Sequence, residues 1–143
     1  MKVYIASKYI ENADINRKIH NILLQAGIQS FLPETINIDA ISPEEEKLVG
    51  DKCYKELLSS DVILFVSPYG DSVIAEVGAA IASSFIKKKI KVILFGKLRK
   101  NEAMLSPYID VIVDEKLRRD DAAYDALLEQ ILLLNQPGGV DYE

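Results

Sequence analysis

Two short stretches of unbroken hydrophobicity, Val62-Ile63-Leu64-Phe65-Val66 and Val92-Ile93-Leu94-Phe95, constrain this chain more than anything else in it. A strand with one face in water alternates apolar and polar residues, whereas a strand covered on both faces has no reason to alternate. Each run is bounded by polar residues or glycine and is shorter than a core helix, so both are read as interior strands. The stretch between them, Gly70 to Phe85, is long enough for a crossover helix. A strand, a helix and a second buried strand make a parallel pair with a right-handed crossover.

The rest of the chain extends this alternation. KVYIA at residues 2–6 is a first strand, rich in β-branched and aromatic residues. Ile15, Ile19, Ile22, Leu23 and Ala26 then recur at helical spacing, with Asn12 or Asp14 as the cap and Gly27 as the stop. IQSFLP is a short second strand. Ser42-Pro43-Glu44-Glu45 is a capping box that starts a helix running to about Ser59. A weaker strand, DVIVD, follows at 110–114, and Asp121 to Leu134 form an amphipathic last helix. The expected fold is α/β, a single doubly wound, flavodoxin-like domain over residues 1–136. It holds a five-stranded parallel sheet of order 2-1-3-4-5 with helices on both faces. Residues 137–143 are expected to be a C-terminal tail.

Composition removes several kinds of chemistry. A net charge of −5 and a pI near 5.0 do not suit nucleic-acid binding, which works through clustered cations, so no nucleic-acid partner is expected. The run Lys87-Lys88-Lys89 is read as a solvated helix end, where cations meet the negative end of the dipole. One cysteine, Cys53, and one histidine, His20, leave no disulfide framework and too few ligands for zinc, so neither metal nor cofactor is expected. His20 belongs at the polar edge of the first helix. No apolar run approaches the ~20 residues of a membrane span, and MKVYIASKY lacks the apolar region of a signal peptide, so a cytoplasmic protein with no membrane partner is expected.

Ligands of open parallel sheets bind beyond the carboxyl ends of the strands, near the point where strand order reverses. Here that directs attention to Ser7 and Lys8 after the first strand and to Asp71 and Ser72 after the third. Asp71 or Ser72 is expected to cap the third helix, whose N-terminus then offers backbone N–H groups to an anion. Ile74, Val77, Gly78, Ile81 and Phe85 make the expected stripe toward the sheet, which places Glu76 on the opposite side. The remaining outer residues, Ala75, Ala79, Ala80, Ala82 and Ser83, are not the composition of a solvated face. That face is expected to meet another element or subunit, which predicts a homodimer or larger homo-oligomer with a partly desolvated Glu76 near the seam.

Val3-Tyr4-Ile5-Ala6-Ser7, Ser60-Asp61-Val62, Asp71-Ser72 and Glu76-Val77-Gly78-x-Ala80, in this order and spacing, resemble the nucleoside 2-deoxyribosyltransferase family. The likeness runs over about residues 2–114 and includes the family's nucleoside 5′-monophosphate N-glycosidase branch. It implies cleavage of the N-glycosidic bond of a nucleoside or nucleotide, by transfer between bases or by hydrolysis, with Glu76 as the nucleophile. The family usually has an aspartate eight residues before the aspartate that opens the third strand; here that position is Cys53. Asp51 is the candidate substitute, although two residues on a helix turn the side chain by about 200°. The resemblance further implies that Asp71 holds sugar hydroxyls. A Ser7-Lys8 pair with Ser72 suits a 5′-phosphate, and Tyr4 is placed in the substrate wall. A tail from a neighbouring subunit, with Asp141 and Tyr142, is a candidate to close the site. Two alternatives stand beside this reading. The segment SSDVILFVSP followed by a helix glutamate is similar to TIR domains that cleave NAD, although this chain has no tryptophan. A nucleotide-binding module without turnover would accommodate Cys53.

Overall fold

The computed structural model describes residues 1–33, 42–100, 102 and 104–134. The expected tail, with Asp141 and Tyr142, lies outside the described residues. Strands β1 (Lys2–Ala6), β2 (Gln29–Phe31), β3 (Val62–Val66), β4 (Lys91–Phe95) and β5 (Val111–Val113) pair in parallel in the order β2-β1-β3-β4-β5. Helices α1 (Ala13–Gln25), α2 (Pro43–Leu58), α3 (Asp71–Ile86) and α4 (Asp121–Leu134) connect or follow them. The sheet is the one the apolar runs require: β3 and β4 are buried along almost their whole length because both of their faces are covered.

The strand period of two divides the core into two layers. Val3, Ile5, Leu64, Ile93 and Phe95 point toward α1 and α4, meeting Ile19, Leu23, Tyr124 and Leu127. Tyr4, Ala6, Ile63, Phe65 and Leu94 point the other way, toward Leu57 of α2 and Val73, Val77 and Ala80 of α3. The second layer matters for the site, because Tyr4 lies level with Phe31 and Ile63 in the middle of the sheet. Its ring stacks on Phe31 at a centroid distance of 5.5 Å.

Local chemistry sets most element ends as expected. Ser42 accepts a hydrogen bond from the Glu45 N–H at 3.2 Å, with Pro43 in the first helical position. Gly27, at φ +72°, closes α1. Lys88 and Lys89 sit beyond the end of α3, paired with Asp61 and Asp110. His20 occupies the edge of α1, its Nδ1 2.7 Å from the Ser30 hydroxyl.

Three expectations are corrected. The buried stripe of α3 is Val73, Val77 and Ala80, so Gly78 is exposed, Phe85 is 73% exposed, and Ala80 belongs to the core and not to the outer face. With that shift, Glu76 flanks the buried stripe instead of opposing it. Neither Asp71 nor Ser72 caps α3: Gly70 occupies the cap position, and no side chain bonds to the free N–H groups. Asn12 does hold the cap position of α1, one of the two expected candidates, but its side chain makes no cap hydrogen bond and turns to the neighbouring loops instead.

The carboxyl ends of β3, β4 and β5 are tied together by one arginine. Arg119 donates to the carbonyls of Phe95 (3.2 Å) and Ser67 (2.5 Å), and its Nε lies 3.5 Å from the fully buried Asp114 carboxylate. The backbone is left-handed at Asp114, Leu117 and Arg119. Gly96 approaches this point so closely that a Cβ there would lie 1.7 Å from the Ser67 hydroxyl.

Candidate active site

The loops that follow β1 and β3 converge as strand-order reversal predicts, and buried asparagines hold them. Asn12 donates from Nδ2 to the Ser7 hydroxyl at 3.1 Å and to the Pro68 carbonyl at 2.9 Å, bridging the two loops. Asn16, fully buried one turn later, donates to the Lys8 carbonyl at 3.0 Å. The sequence marks Asn12 only as a candidate cap of α1 and does not mark Asn16 at all. Their spacing with Ile19 and Leu23 on the buried face of α1 is the signal, since a buried amide needs a specific partner.

Between these loops, α2 and α3 lies a crevice of two lobes that share Tyr9, Ser72 and Glu76. The first lobe, about 300 Å³, is lined by Ser7, Lys8, Asp71, Ser72 and the start of α3. Its floor offers the unpaired N–H groups of a 16-residue helix, whose dipole favours an anion. Lys8 stands there 3.9 Å from Glu11, while the fully exposed Asp71 carboxylate lies 3.7 Å from Arg99. The second lobe, about 460 Å³, lies between α2 and α3 and is walled by Tyr9, Val49, Gly50, Tyr54 and Ala75. Ser72 and Ala75 on this side of α3 therefore border the lobe within the chain.

Glu76 stands where the lobes meet. The Tyr4 hydroxyl, rising from the fully buried middle of β1, donates to its Oε2. Burial raises the Glu76 carboxyl to about 7, with the Tyr4 hydrogen bond acting in the opposite direction. Burial, followed by the Glu76 charge, holds the Tyr4 phenol well above its ordinary range, so the phenol keeps its proton and serves as a donor. The half-buried Cys53 completes the group from α2; burial pushes its thiol up, partly offset by a hydrogen bond with Tyr4.

Of the residues singled out from the sequence, Tyr4, Ser7, Lys8, Asp71, Ser72 and Glu76 are brought together around this crevice. Asp51 is not: it lies exposed on α2, 3.3 Å from Lys47, and does not line either lobe. Its side chain diverges from that of Cys53 by the helical rotation, and α2 makes no local shift to compensate. A further cavity of about 290 Å³, between Phe85 and Tyr108 at the amino end of β4, holds one opposed pair of charges, Lys89 and Asp110, already bonded to each other. Among the described residues no group of His, Cys, Asp and Glu is arranged to hold a metal, and no helix is long and apolar enough to cross a membrane.

No protein-family profile and no curated protein matches the chain. Solved structures do. The 2-deoxyribosyltransferase of Bacillus psychrosaccharolyticus superimposes with a TM-score of 0.67 at 19% identity, over 87% of this chain and 96% of that one. The fold is that of this transferase. A conserved protein from Enterococcus faecalis V583 has the same architecture, with a TM-score of 0.56 at 16% identity over 92% of this chain and 97% of that one.

Proposed function

We propose that the protein cleaves the N-glycosidic bond of nucleosides or nucleoside 5′-monophosphates, with Glu76 as the nucleophile. The observation that carries this reading is the placement of Glu76: a desolvated carboxylate at the junction of a lobe at the N-terminus of α3 and a lobe lined by Tyr9 and Tyr54, oriented by the Tyr4 hydroxyl. The likeness to a 2-deoxyribosyltransferase fold supports it.

The lobes divide the substrate by charge. A 5′-phosphate or the sugar hydroxyls suit the first lobe, where Lys8, Ser7, Ser72 and the start of α3 supply donors and Asp71 an acceptor. The base suits the second, which the aromatic residues Tyr9 and Tyr54 help to line. The anomeric carbon then sits over Glu76. One carboxylate oxygen forms a bond to that carbon while the carbon–nitrogen bond breaks, and its electron pair leaves with the base, which takes up a proton from solvent water. Tyr4 keeps the other Glu76 oxygen fixed by donating to it. The glycosyl ester is resolved when water or a second base attacks the same carbon, restoring the carboxylate; hydrolysis or transfer follows from which acceptor enters. A homodimer joined through the outer side of α3 belongs to this reading as well.

The test is base release, followed by chromatography, from deoxynucleosides, ribonucleosides, their 5′-monophosphates and NAD, with and without a second free base. Release that Glu76→Ala lowers by at least about a thousandfold is expected, since loss of a covalent nucleophile removes the whole pathway. Release from NAD alone would move the reading to the TIR-like alternative. Ligand binding without turnover on any substrate would leave a binding module.

A further inference from the structure

The second lobe carries a charge that the reading above does not use. Glu46 lines it from α2, on the same face as Gly50 and Cys53, at positions i, i+4 and i+7. Cys53 neighbours Tyr4 and Glu76, and Glu46 lies two turns toward the start of α2, on the order of 10 Å along the axis. Glu76 and Glu46 therefore line the same lobe at points well separated along α2, and Tyr9, Val49, Tyr54 and Ala75 complete its lining.

The other carboxylates near the crevice are engaged: Glu11 with Lys8, Asp71 with Arg99, and Asp51 with Lys47 on a different face of α2. Glu46 makes no ion pair among the described residues. An ionised carboxylate accepts hydrogen bonds and donates none. In a lobe that takes the base, it attracts an edge that presents N–H groups and repels one that presents a carbonyl oxygen. It also keeps a phosphate out of this lobe, which reinforces the division of the substrate made above.

We infer that Glu46 is a specificity-determining residue whose carboxylate accepts from the exocyclic amino group of the departing base, so that amino-bearing bases are cleaved in preference to their oxo counterparts. This rests on the glycosidic reading of the site and adds the substrate class to it. Cys53 cannot take this role, because it sits beside Glu76 and Tyr4 and a thiol is a weak acceptor.

The experiment compares two matched pairs, 2′-deoxyadenosine with 2′-deoxyinosine and 2′-deoxycytidine with 2′-deoxyuridine, as nucleosides and as 5′-monophosphates, in the wild type, Glu46→Ala and Glu46→Gln, with Glu76→Ala as the blank. The wild type is expected to favour the amino member of at least one pair by about 10–100-fold in kcat/KM, the range of one hydrogen bond to a charged group. In Glu46→Ala that ratio should fall to within about threefold through loss on the amino substrate alone. Glu46→Gln, which can both accept and donate, should fall between. Glu46 is exposed, so thermal unfolding of the variants should match the wild type and exclude a folding defect. A ratio unchanged in Glu46→Ala, or no amino preference in either wild-type pair, overturns the assignment. If the wild type releases no base at all, the glycosidic reading fails, and calorimetric titration with the same pairs then tests Glu46 alone: an amino preference in affinity that Glu46→Ala removes supports it, and equal affinities reject it.

Discussion

A carboxylate attacks carbon only when ionised, so a Glu76 that titrates at about 7 ties activity to pH. With Glu76 as the proposed nucleophile, the protonated form would be inactive in the free protein; kcat/KM should therefore rise with pH, reach half its maximum near pH 7 and level off above it. The Tyr4 hydrogen bond favours the carboxylate, so Tyr4→Phe should move that midpoint upward and lower kcat/KM at pH 7 by about tenfold, the usual worth of a hydrogen bond to a charged group. A pH–rate profile of both proteins checks this, and an unmoved midpoint would mean that Tyr4 does not act on Glu76. Glu76 was legible in the sequence because it is the one charged residue in a helix of small and apolar ones after its first turn. Its hydrogen bond to Tyr4 was not, since the two are 72 positions apart and nothing local announces the meeting. Glu46 was hidden for the opposite reason: among Glu44, Glu45 and Glu46 it looks like an ordinary charge favouring a helix N-terminus.

Individual elements were readable in proportion to the contrast in their patterns. The Ser42 cap of α2 and the stop of α1 at Gly27 rest on chemistry complete within a few residues and formed as read, although the Glu45 side chain does not return the bond that would complete a capping box. The inward face of α3 was misread by about one position, which turns a helix by about 100°. With nearly every residue small or apolar, rotating the helix changes its hydrophobic face little, so periodicity could not choose; packing of Val73, Val77 and Ala80 against the sheet did. The Arg119 tie belongs to this scale too. Burial lowers the Arg119 guanidinium from its ordinary value, with the Asp114 charge in opposition, and the guanidinium also stacks on Phe95 at 4.3 Å. Arg119→Met should leave Asp114 buried without its cation and two carbonyls without their donor, costing about 3 kcal/mol. Urea unfolding should show the loss as a lower midpoint with an unchanged slope. A midpoint within error of the wild type would mean that the carboxyl ends of β3, β4 and β5 hold together without the arginine.

At the scale of the whole molecule, the expected homodimer has a narrower basis than the sequence suggested. Ser72 and Ala75 line the second lobe and Ala80 belongs to the core, so the contact is drawn at the outer end of α3, where Phe85 and Ile86 are 73% and 81% exposed. Sedimentation should give twice the 16.0 kDa chain mass for the wild type and the chain mass for the Phe85→Ser, Ile86→Ser double variant. A wild-type monomer at micromolar concentration would reject the interface. By itself the sequence determined the doubly wound sheet and its order, because short apolar runs bounded by polar residues or glycine suit strands covered on both faces and right-handed crossovers leave few topologies. It also determined which loops would meet, since the carboxyl ends of β1 and β3 adjoin in that order. Only the tertiary structure decided which side of α3 turns inward, that Tyr4 reaches Glu76, and that Glu46 and not Asp51 shares the crevice with it. Those contacts depend on helix rotations and on residues distant in the chain, and a pattern of near-uniform hydrophobicity does not encode a rotation.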